Sequence, residues 1–291
     1  MKLYPIETGN FKLDGGAMFG VVPKSLWQRT NPADAKNMID IAARCLLIED
    51  GNRLILIDNG MGDKQSEKFF GYYYRWGNHT LDKSLAKYGF HRDDITDVFM
   101  THLHFDHCGG SIAWNKDQTG YQPNFQNALF WTNKKHWQWA TQPNVREKAS
   151  FLKENLLPMQ ESGQLKFITT PSLENSTSFI ENSELGFDIL FVDGHTDKMM
   201  LPHIKYQGKT VVFTADLIPT VGHIPVPYVM GYDTRPLTTM DEKATFLEKA
   251  AAENYLLFFE HDAHNEICNL QATEKGVRFD QIYTFDNLFS K

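Results

Sequence analysis

Cysteine, basic clusters and long apolar runs are all scarce in this sequence, and each scarcity excludes a class of protein. Three cysteines in 291 residues cannot all pair, so a disulfide scaffold is excluded and a reducing compartment is predicted. No apolar run reaches the roughly 18 residues that a membrane span needs. The first residues also lack the apolar core of a signal peptide. We therefore expect a cytoplasmic protein with no membrane partner.

Positive charge is also in short supply. Lysine and arginine number 29 against 36 aspartates and glutamates, and the formal net charge is −7. With no basic block, the charge argues against nucleic acid as a partner. No repeat at a solenoid period and no low-complexity tract is present. A hydrophobic content of 42% supports a sizeable core. We predict a single domain over 1–291, with a variable insertion at about 114–185.

The densest polar motif is His102-Leu103-His104-Phe105-Asp106-His107, and two glycines follow it closely. The apolar segment before it, Ile95 to Met100, is typical of a buried strand. If the chain stays extended, His102, His104 and Asp106 point to the same side. Imidazoles and a carboxylate converging there favour a borderline divalent metal, above all zinc. The alternative is a cluster of polar residues at the end of a strand.

With this motif the chain resembles the metallo-β-lactamase superfamily of metal-dependent hydrolases, within it the lactonase and phosphotriesterase-like branch. The segment from Gly15 to Pro23 is similar to bacterial quorum-quenching lactonases. The resemblance implies an α/β (α+β) fold, a four-layer αββα sandwich with two mixed sheets face to face.

The resemblance also implies three further ligands, each at the end of a predicted strand. His195 follows Phe187 to Val192, and Asp216 follows a strand over Lys209 to Thr214. His261 follows the strand Tyr255 to Glu260, and its position at the strand end favours it over the nearby His264. Taken alone, each residue has a structural explanation at least as good. Their order along the chain and the first motif together favour the ligand assignment.

The implied site holds two divalent metal ions, zinc by preference, with iron, manganese or cobalt as alternatives. One ion is bound by His102, His104 and His195. The other is bound by Asp106, His107 and His261, and Asp216 bridges the two. A metal-bridging hydroxide would attack the substrate. Asp106 would act in catalysis by passing a proton to the leaving alkoxide.

Other candidate site residues have competing explanations. Asp58, before a glycine turn, either steadies a ligand histidine or simply forms the turn. Met18 and Phe19 either line a substrate pocket or belong to the core. His223, in a loop after Asp216, is a candidate for substrate contact. His136 is predicted to lie at the surface without a function.

Aromatic residues are concentrated in the segment from Phe69 to Trp76. So many rings in a predicted loop suggest a pocket wall, a lid or a subunit contact, and the last would be consistent with a homodimer. Packing on the domain's own core is the default explanation.

The resemblance implies a hydrolase acting on a small-molecule ester or lactone, first of all an N-acyl homoserine lactone. One position departs from the pattern: some such lactonases carry a tyrosine three residues after the bridging aspartate, and here Pro219 stands there. Tyr228 or Tyr232 could take its place. The alternatives are a phosphotriesterase-like or other ester hydrolase and a non-catalytic metal-binding protein. The intact ligand set argues against the last.

Overall fold

The structure is a computed structural model, and it describes residues 1–171 and 178–289. Within it the chain forms two compact units. The first unit comprises Met1–Asn10, Ala43–Glu174 and Asn182–Gly186, and the second comprises Phe11–Ala42, Asn175–Glu181 and Phe187–Lys291. Among the described residues, no helix is both long and apolar enough to cross a bilayer. The assignment of 1–291 to one domain stays a prediction.

A six-stranded sheet contains most of the strands of the first unit, in the order β1-β2-β3-β4-β7-β8. A separate pair, β5 and β6, is antiparallel. The bounds are β1 Lys2–Asp14, β2 Met38–Asp50, β3 Arg53–Ile57, β4 Asp97–Phe99, β5 Ile112–Trp114, β6 Tyr121–Pro123, β7 Leu129–Asn133 and β8 Leu165–Ile168. The helices of this unit are α3 Glu67–Gly71, α4 Leu81–Lys87, α5 Phe105–Cys108, α6 Lys134–Thr141 and α7 Lys153–Glu161.

The strands β3, β4, β7 and β8 run parallel, and their side chains explain the apolar runs in the sequence. Leu56, Val98 and Phe130 are fully buried in one core cluster, as parallel strands covered on both faces require. The turn sequence Asp50-Gly51-Asn52 between two apolar segments predicts a hairpin, and β2 and β3 form it as an antiparallel pair, with Gly51 at a φ of 59° in its turn. Because β3 and β4 are parallel, the residues that follow them emerge at the same edge of the sheet.

The second unit contains a seven-stranded sheet in the order β15-β14-β13-β12-β11-β10-β9. Its strands are β9 Ser178–Ile180, β10 Asp188–Val192, β11 Met199–Tyr206, β12 Lys209–Phe213, β13 Leu256–Phe258, β14 Ile267–Thr273 and β15 Gly276–Tyr283. Its helices are α1 Gly15–Phe19, α2 Lys24–Trp27, α8 Pro236–Ala252 and α9 Phe285–Phe289.

Strand directions in this sheet bring three chain segments to one edge. β10 and β12 are both antiparallel to β11, and β13 is parallel to β12. The carboxyl ends of β10, β12 and β13 therefore lie at the same edge, and they lead to His195, Asp216 and His261 respectively.

One helix differs from the sequence pattern. The apolar spacing from Val145 to Leu157 predicts a single helix, but α7 begins only at Lys153. The preceding residues form turns in which Asn144 Oδ1 accepts the backbone N–H groups of Arg146 and Glu147. Such local side-chain bonds compete with a helix, which accounts for its late start.

Candidate metal centre

The histidine motif from His102 to His107 changes backbone conformation halfway along its length. From the end of β4 to His104 the chain is non-helical, and His104 is the N-cap of α5. Asp106 and His107 then lie within the single turn of this helix. The expectation of an extended chain with His102, His104 and Asp106 on one side is therefore wrong beyond His104. The short helix brings Asp106 and its neighbour His107 within reach of a common ion, which an extended chain would not do.

The glycines after the motif are required by close backbone contact. A Cβ at Gly109 would lie 2.1 Å from the carbonyl oxygen of Met61. At Gly110 it would lie 2.3 Å from the carbonyl oxygen of Asn59. Any larger residue would push the end of α5 away from the loop that follows β3.

The first unit holds imidazole nitrogens in positions that suit a metal ion. His102 Nε2 and His104 Nδ1 are 3.1 Å apart, and both rings are buried. The ligand atoms of Asp106 and His107 likewise lie within 4.8 Å of each other. Two nitrogen lone pairs facing one another are repulsive unless a proton or a cation lies between them. Imidazole and carboxylate donors of this kind can hold a divalent metal ion.

Asp58 lies directly beneath this motif and is completely buried. Its Oδ1 accepts the backbone N–H of Thr101 at 2.8 Å, and its Oδ2 accepts the Thr101 hydroxyl at 2.7 Å. The same Oδ2 is 3.1 Å from His107 Nδ1. Asp58 has a φ of 55°, a conformation that aspartate tolerates better than most residues. This geometry fits the role of fixing the His107 tautomer.

In the second unit, two histidines face the two oxygens of one carboxylate. His195 Nε2 is 3.1 Å from Asp216 Oδ2, and His261 Nε2 is 3.1 Å from Asp216 Oδ1. His261 Nδ1 is 2.8 Å from the Ala42 carbonyl oxygen, which can only accept, so Nδ1 carries the proton. In the neutral ring the Nε2 lone pair then points at a carboxylate, an arrangement that a shared cation or a second proton stabilises.

His195 also has an acceptor at Nδ1, a carboxylate that was not identified from the sequence. Its Nδ1 is 2.9 Å from Asp233 Oδ1, and both side chains are buried. Burial by itself lowers the pKa of His195, but the charges of Asp216 and Asp233 outweigh it and raise this pKa to about 10. The site therefore favours positive charge at His195, whether a proton or a metal ion supplies it.

Helix α8 fixes the loop that carries His195. The Glu242 carboxylate accepts the backbone N–H of Asp193 at 2.7 Å and that of Gly194 at 3.0 Å. A Cβ at Gly194 would lie 2.3 Å from the Thr239 hydroxyl oxygen, so only glycine fits against the helix. Burial raises the pKa of Glu242 to about 7.

The residues predicted to contact substrate are buried together in the second unit. The Phe19 ring stacks between His223 at 4.1 Å and Trp27 at 5.3 Å, and Met18 is only 1% exposed. His223 Nε2 donates to the Met18 carbonyl oxygen at 2.8 Å, and Nδ1 is 2.8 Å from the Thr220 hydroxyl. Burial lowers the pKa of His223 to about 3, so this ring is neutral. Substrate contact by these residues stays a prediction.

Two other histidines show how burial separates the candidates. The side chain of His264 is 62% exposed, whereas His261 is 2% exposed, and His261 as the ligand stays a prediction. The surface position expected for His136 is wrong: its ring is fully buried and its Nε2 accepts the backbone N–H of Leu103 at 2.9 Å. The two lysines before His136 favoured the surface, whereas Trp137 after it is buried on the same helix.

Several residues that hold the candidate ligands in place were not identified from the sequence, because no motif marks them. They lie far along the chain from the ligands that they hold, as Asp233, Glu242 and Ala42 illustrate. A backbone carbonyl such as that of Ala42 leaves no signal in a sequence at all.

Buried histidines and carboxylates that face one another at strand ends are typical of a metal-binding protein. The family model of the metallo-beta-lactamase superfamily matches residues 40–261. The chain thus belongs to the metallo-β-lactamase superfamily, and it is a metal-dependent hydrolase. The predicted fold class and the predicted enzyme class are confirmed.

Three known proteins resemble the chain over nearly its whole length. The N-acyl homoserine lactonase AiiA of Bacillus thuringiensis subsp. kurstaki is 22% identical over 278 residues, covering 91% of this chain and 94% of the relative. A probable metal-dependent hydrolase from Staphylococcus aureus is 28% identical, with a TM-score of 0.83 and coverage of 97% and 95%. AidC, a dizinc quorum-quenching lactonase, is 22% identical, with a TM-score of 0.74 and coverage of 97% and 94%.

Proposed function

We propose that this protein is a dinuclear metal hydrolase that opens a lactone ring, with N-acyl homoserine lactones as the substrate class. The observation that carries the proposal is the pair of imidazole nitrogens, from His195 and His261, each 3.1 Å from an oxygen of Asp216. Such a carboxylate suits a ligand shared by two ions. The lactonases among the relatives, at 22% identity, support the substrate class.

Seven side chains would hold the two ions, with zinc as the proposed metal. One set consists of His102, His104 and His195, the other of Asp106, His107 and His261, and Asp216 would serve both. When bound, the ions supply Lewis acidity and lower the pKa of water towards about 7. Iron, manganese and cobalt suit the same nitrogen and oxygen donors.

The chain's own residues would orient the ligands and move one proton. Water adds to the carbonyl carbon, the ring C–O bond breaks, and the proton lost by water ends on the alkoxide leaving group. Asp106 is the residue proposed to carry that proton, because the side chain of this ligand is accessible enough to reach both groups: its side chain is 13% exposed, while that of His107 is fully buried. Asp58 and Asp233 would hold His107 and His195 in the tautomers required for binding.

An apolar acyl chain would be received by aromatic residues beside Asp106. The rings of Phe69 and Tyr73 are 5.1 Å apart, and both contact Phe105, at 5.3 and 4.9 Å. Burial and the charge of Asp106 raise the pKa of Tyr73 to about 12, so its phenol stays protonated. This cluster combines apolar area with one hydrogen-bond donor, as an acyl amide needs.

Elemental analysis together with a substrate panel tests the proposal. The panel comprises acyl homoserine lactones, an aryl phosphotriester, a thioester and a β-lactam. We expect two metal ions per chain and a clear preference for lactones. A preference for the phosphotriester would favour phosphotriester hydrolysis over lactone opening. The observation that supports this alternative is Pro219, which stands where some lactonases carry a tyrosine. Absence of bound metal and of activity after adding zinc, manganese or cobalt would refute both.

A further inference from the structure

The segment from α6 to α7 contacts the histidine motif directly, although the sequence suggested only a variable insertion. The carbonyl oxygen of Ser150 accepts the backbone N–H of Phe105 at 3.0 Å. The ring of Phe151 packs against the ring of His104 at 4.8 Å. With the bond from Leu103 to His136, these contacts support the motif along most of its length.

Glu147 is the charged residue of this segment that faces a ligand. It is 3% exposed, and its Oε1 is 3.4 Å from His104 Nε2. Its Oε2 accepts two hydrogen bonds, from Trp139 Nε1 at 2.7 Å and from Asn144 Nδ2 at 2.7 Å. A carboxylate fixed by two donors on one oxygen presents the other oxygen to the histidine in a defined direction.

We propose that Glu147 is a positioning residue for the metal centre: it keeps the proton of His104 on Nε2 and so directs the Nδ1 lone pair at the metal. This inference rests on the metal site of the proposed function and is independent of its substrate.

The assignment follows from which nitrogen of His104 faces which partner. Nδ1 lies 3.1 Å from Nε2 of His102, another ligand candidate, so Nδ1 is the atom on the side of the metal. A neutral imidazole carries its single proton on one nitrogen, and an ionised carboxylate can only accept it. Glu147 therefore stabilises the tautomer in which Nδ1 is the donor atom to a metal. Outer contacts of this kind change metal affinity by about 10- to 100-fold.

The substitution Glu147→Gln separates this role from simple packing. Trp139 and Asn144 both donate to one carboxylate oxygen, so the amide oxygen of glutamine would take that place. The amide NH₂ would then face His104 Nε2 and donate to it. His104 would be driven to carry its proton on Nδ1, which blocks metal binding there. An isosteric change thus reverses the tautomer.

We expect Glu147→Gln to lower zinc affinity, measured by chelator competition, by about 10- to 100-fold. The visible spectrum of the cobalt-substituted protein should lose intensity or shift, because one nitrogen ligand is weakened. Circular dichroism should show the same folded state as the wild type. Glu154→Gln is the matched control: Glu154, in α7, accepts from Gln65 Nε2 at 3.2 Å, and its substitution should leave zinc affinity unchanged.

A second variant covers the case in which Glu147→Gln does not fold. Trp139→Phe removes the indole N–H that orients the carboxylate, and it should lower zinc affinity by about 2- to 10-fold. If Glu147→Gln folds, a wild-type zinc affinity together with an unchanged cobalt spectrum would overturn the inference. If only Trp139→Phe folds, an unchanged zinc affinity in that variant would overturn it. Either result leaves the proposed function standing if the wild type binds two ions. A wild type that binds no metal would instead refute the proposed function itself.

Discussion

The two units contribute candidate ligands in contrasting ways. In the first unit His102, His104, Asp106 and His107 lie within a single stretch of chain that passes from extended backbone into α5. In the second unit each ligand follows a different strand, β10, β12 or β13. A consecutive set takes its spacing from local geometry, whereas a dispersed set depends on strand pairing. Errors in register would disturb the second set far more than the first.

Two kinds of acceptor hold the candidate ligand histidines, and the difference between them does not follow the division into units. His107 and His195 each have a carboxylate at Nδ1, from Asp58 and Asp233, while His261 has the carbonyl of Ala42. A carboxylate raises the basicity of the imidazole more than a neutral carbonyl does. The comparison therefore predicts that substitutions of single supporting groups will lower metal affinity by unequal amounts.

The largest effect is expected from Asp216→Asn, which removes the charge that both histidines of the second unit face. An amide offers only one oxygen, so one imidazole would meet an NH₂ group instead. We expect bound metal to fall by about one ion per chain and activity to fall at least 100-fold. Unchanged metal content and turnover, measured together, would remove Asp216 from the ligand set.

Next in size is the substitution Asp58→Asn. Thr101 donates its backbone N–H to Oδ1, so the amide oxygen would stay there and the NH₂ would face His107 Nδ1. We expect zinc affinity to fall by about 10- to 100-fold.

The matched change in the second unit, Asp233→Asn, should have a smaller effect. Its amide oxygen can still accept from His195 Nδ1, so we expect zinc affinity to fall by less than about 10-fold. Chelator competition on both variants decides the order. Equal losses of zinc affinity would show that the two supporting carboxylates act alike, and a larger loss in Asp233→Asn would contradict the prediction.

A smaller effect concerns stability at acid pH and comes from His223 of the second unit. His223 has a folded pKa of about 3, below its ordinary value of 6.5, so the unfolded chain takes up a proton between these values. The free energy of unfolding therefore falls as the pH drops from about 6.5 towards 3, by up to about 1.4 kcal/mol per pH unit. In His223→Gln this decline should be shallower. Urea unfolding of both proteins from pH 4 to 7 checks it, and parallel curves would contradict it.

The smallest effect is expected at the aromatic cluster of the first unit. Phe69→Ser removes apolar area next to Phe105 without touching a ligand. The Michaelis constant should rise by about 3- to 10-fold for long-acyl lactones and hardly at all for short ones. A rise that does not depend on chain length would separate this cluster from substrate binding.

The sequence by itself determined the fold class, the family and which residues are ligand candidates. It could do so because His102 to His107 form a rare local pattern that carries the family resemblance, and because predicted strands such as Lys209 to Thr214 end just before the other candidates. Strand ends are local properties, since they depend on a few adjacent side chains. The helical spacing from Lys134 to Ala140 and the turn residues at Gly51 are local patterns of the same kind, and the structure contains the helix and the hairpin that they predict.

Tertiary structure alone decided what holds those candidates in place. Glu147, Asp233 and the carbonyl of Ala42 reach their histidines only after the chain has folded, across separations that no local pattern encodes. Folding also decided the environments of His136 and His223. Both rings are fully buried, although the sequence predicted a surface position for His136 and a loop contact with substrate for His223. Ligand identity depends on residue type and order, which a sequence records. Tautomer, protonation and orientation depend on neighbours in space, which only folding assembles.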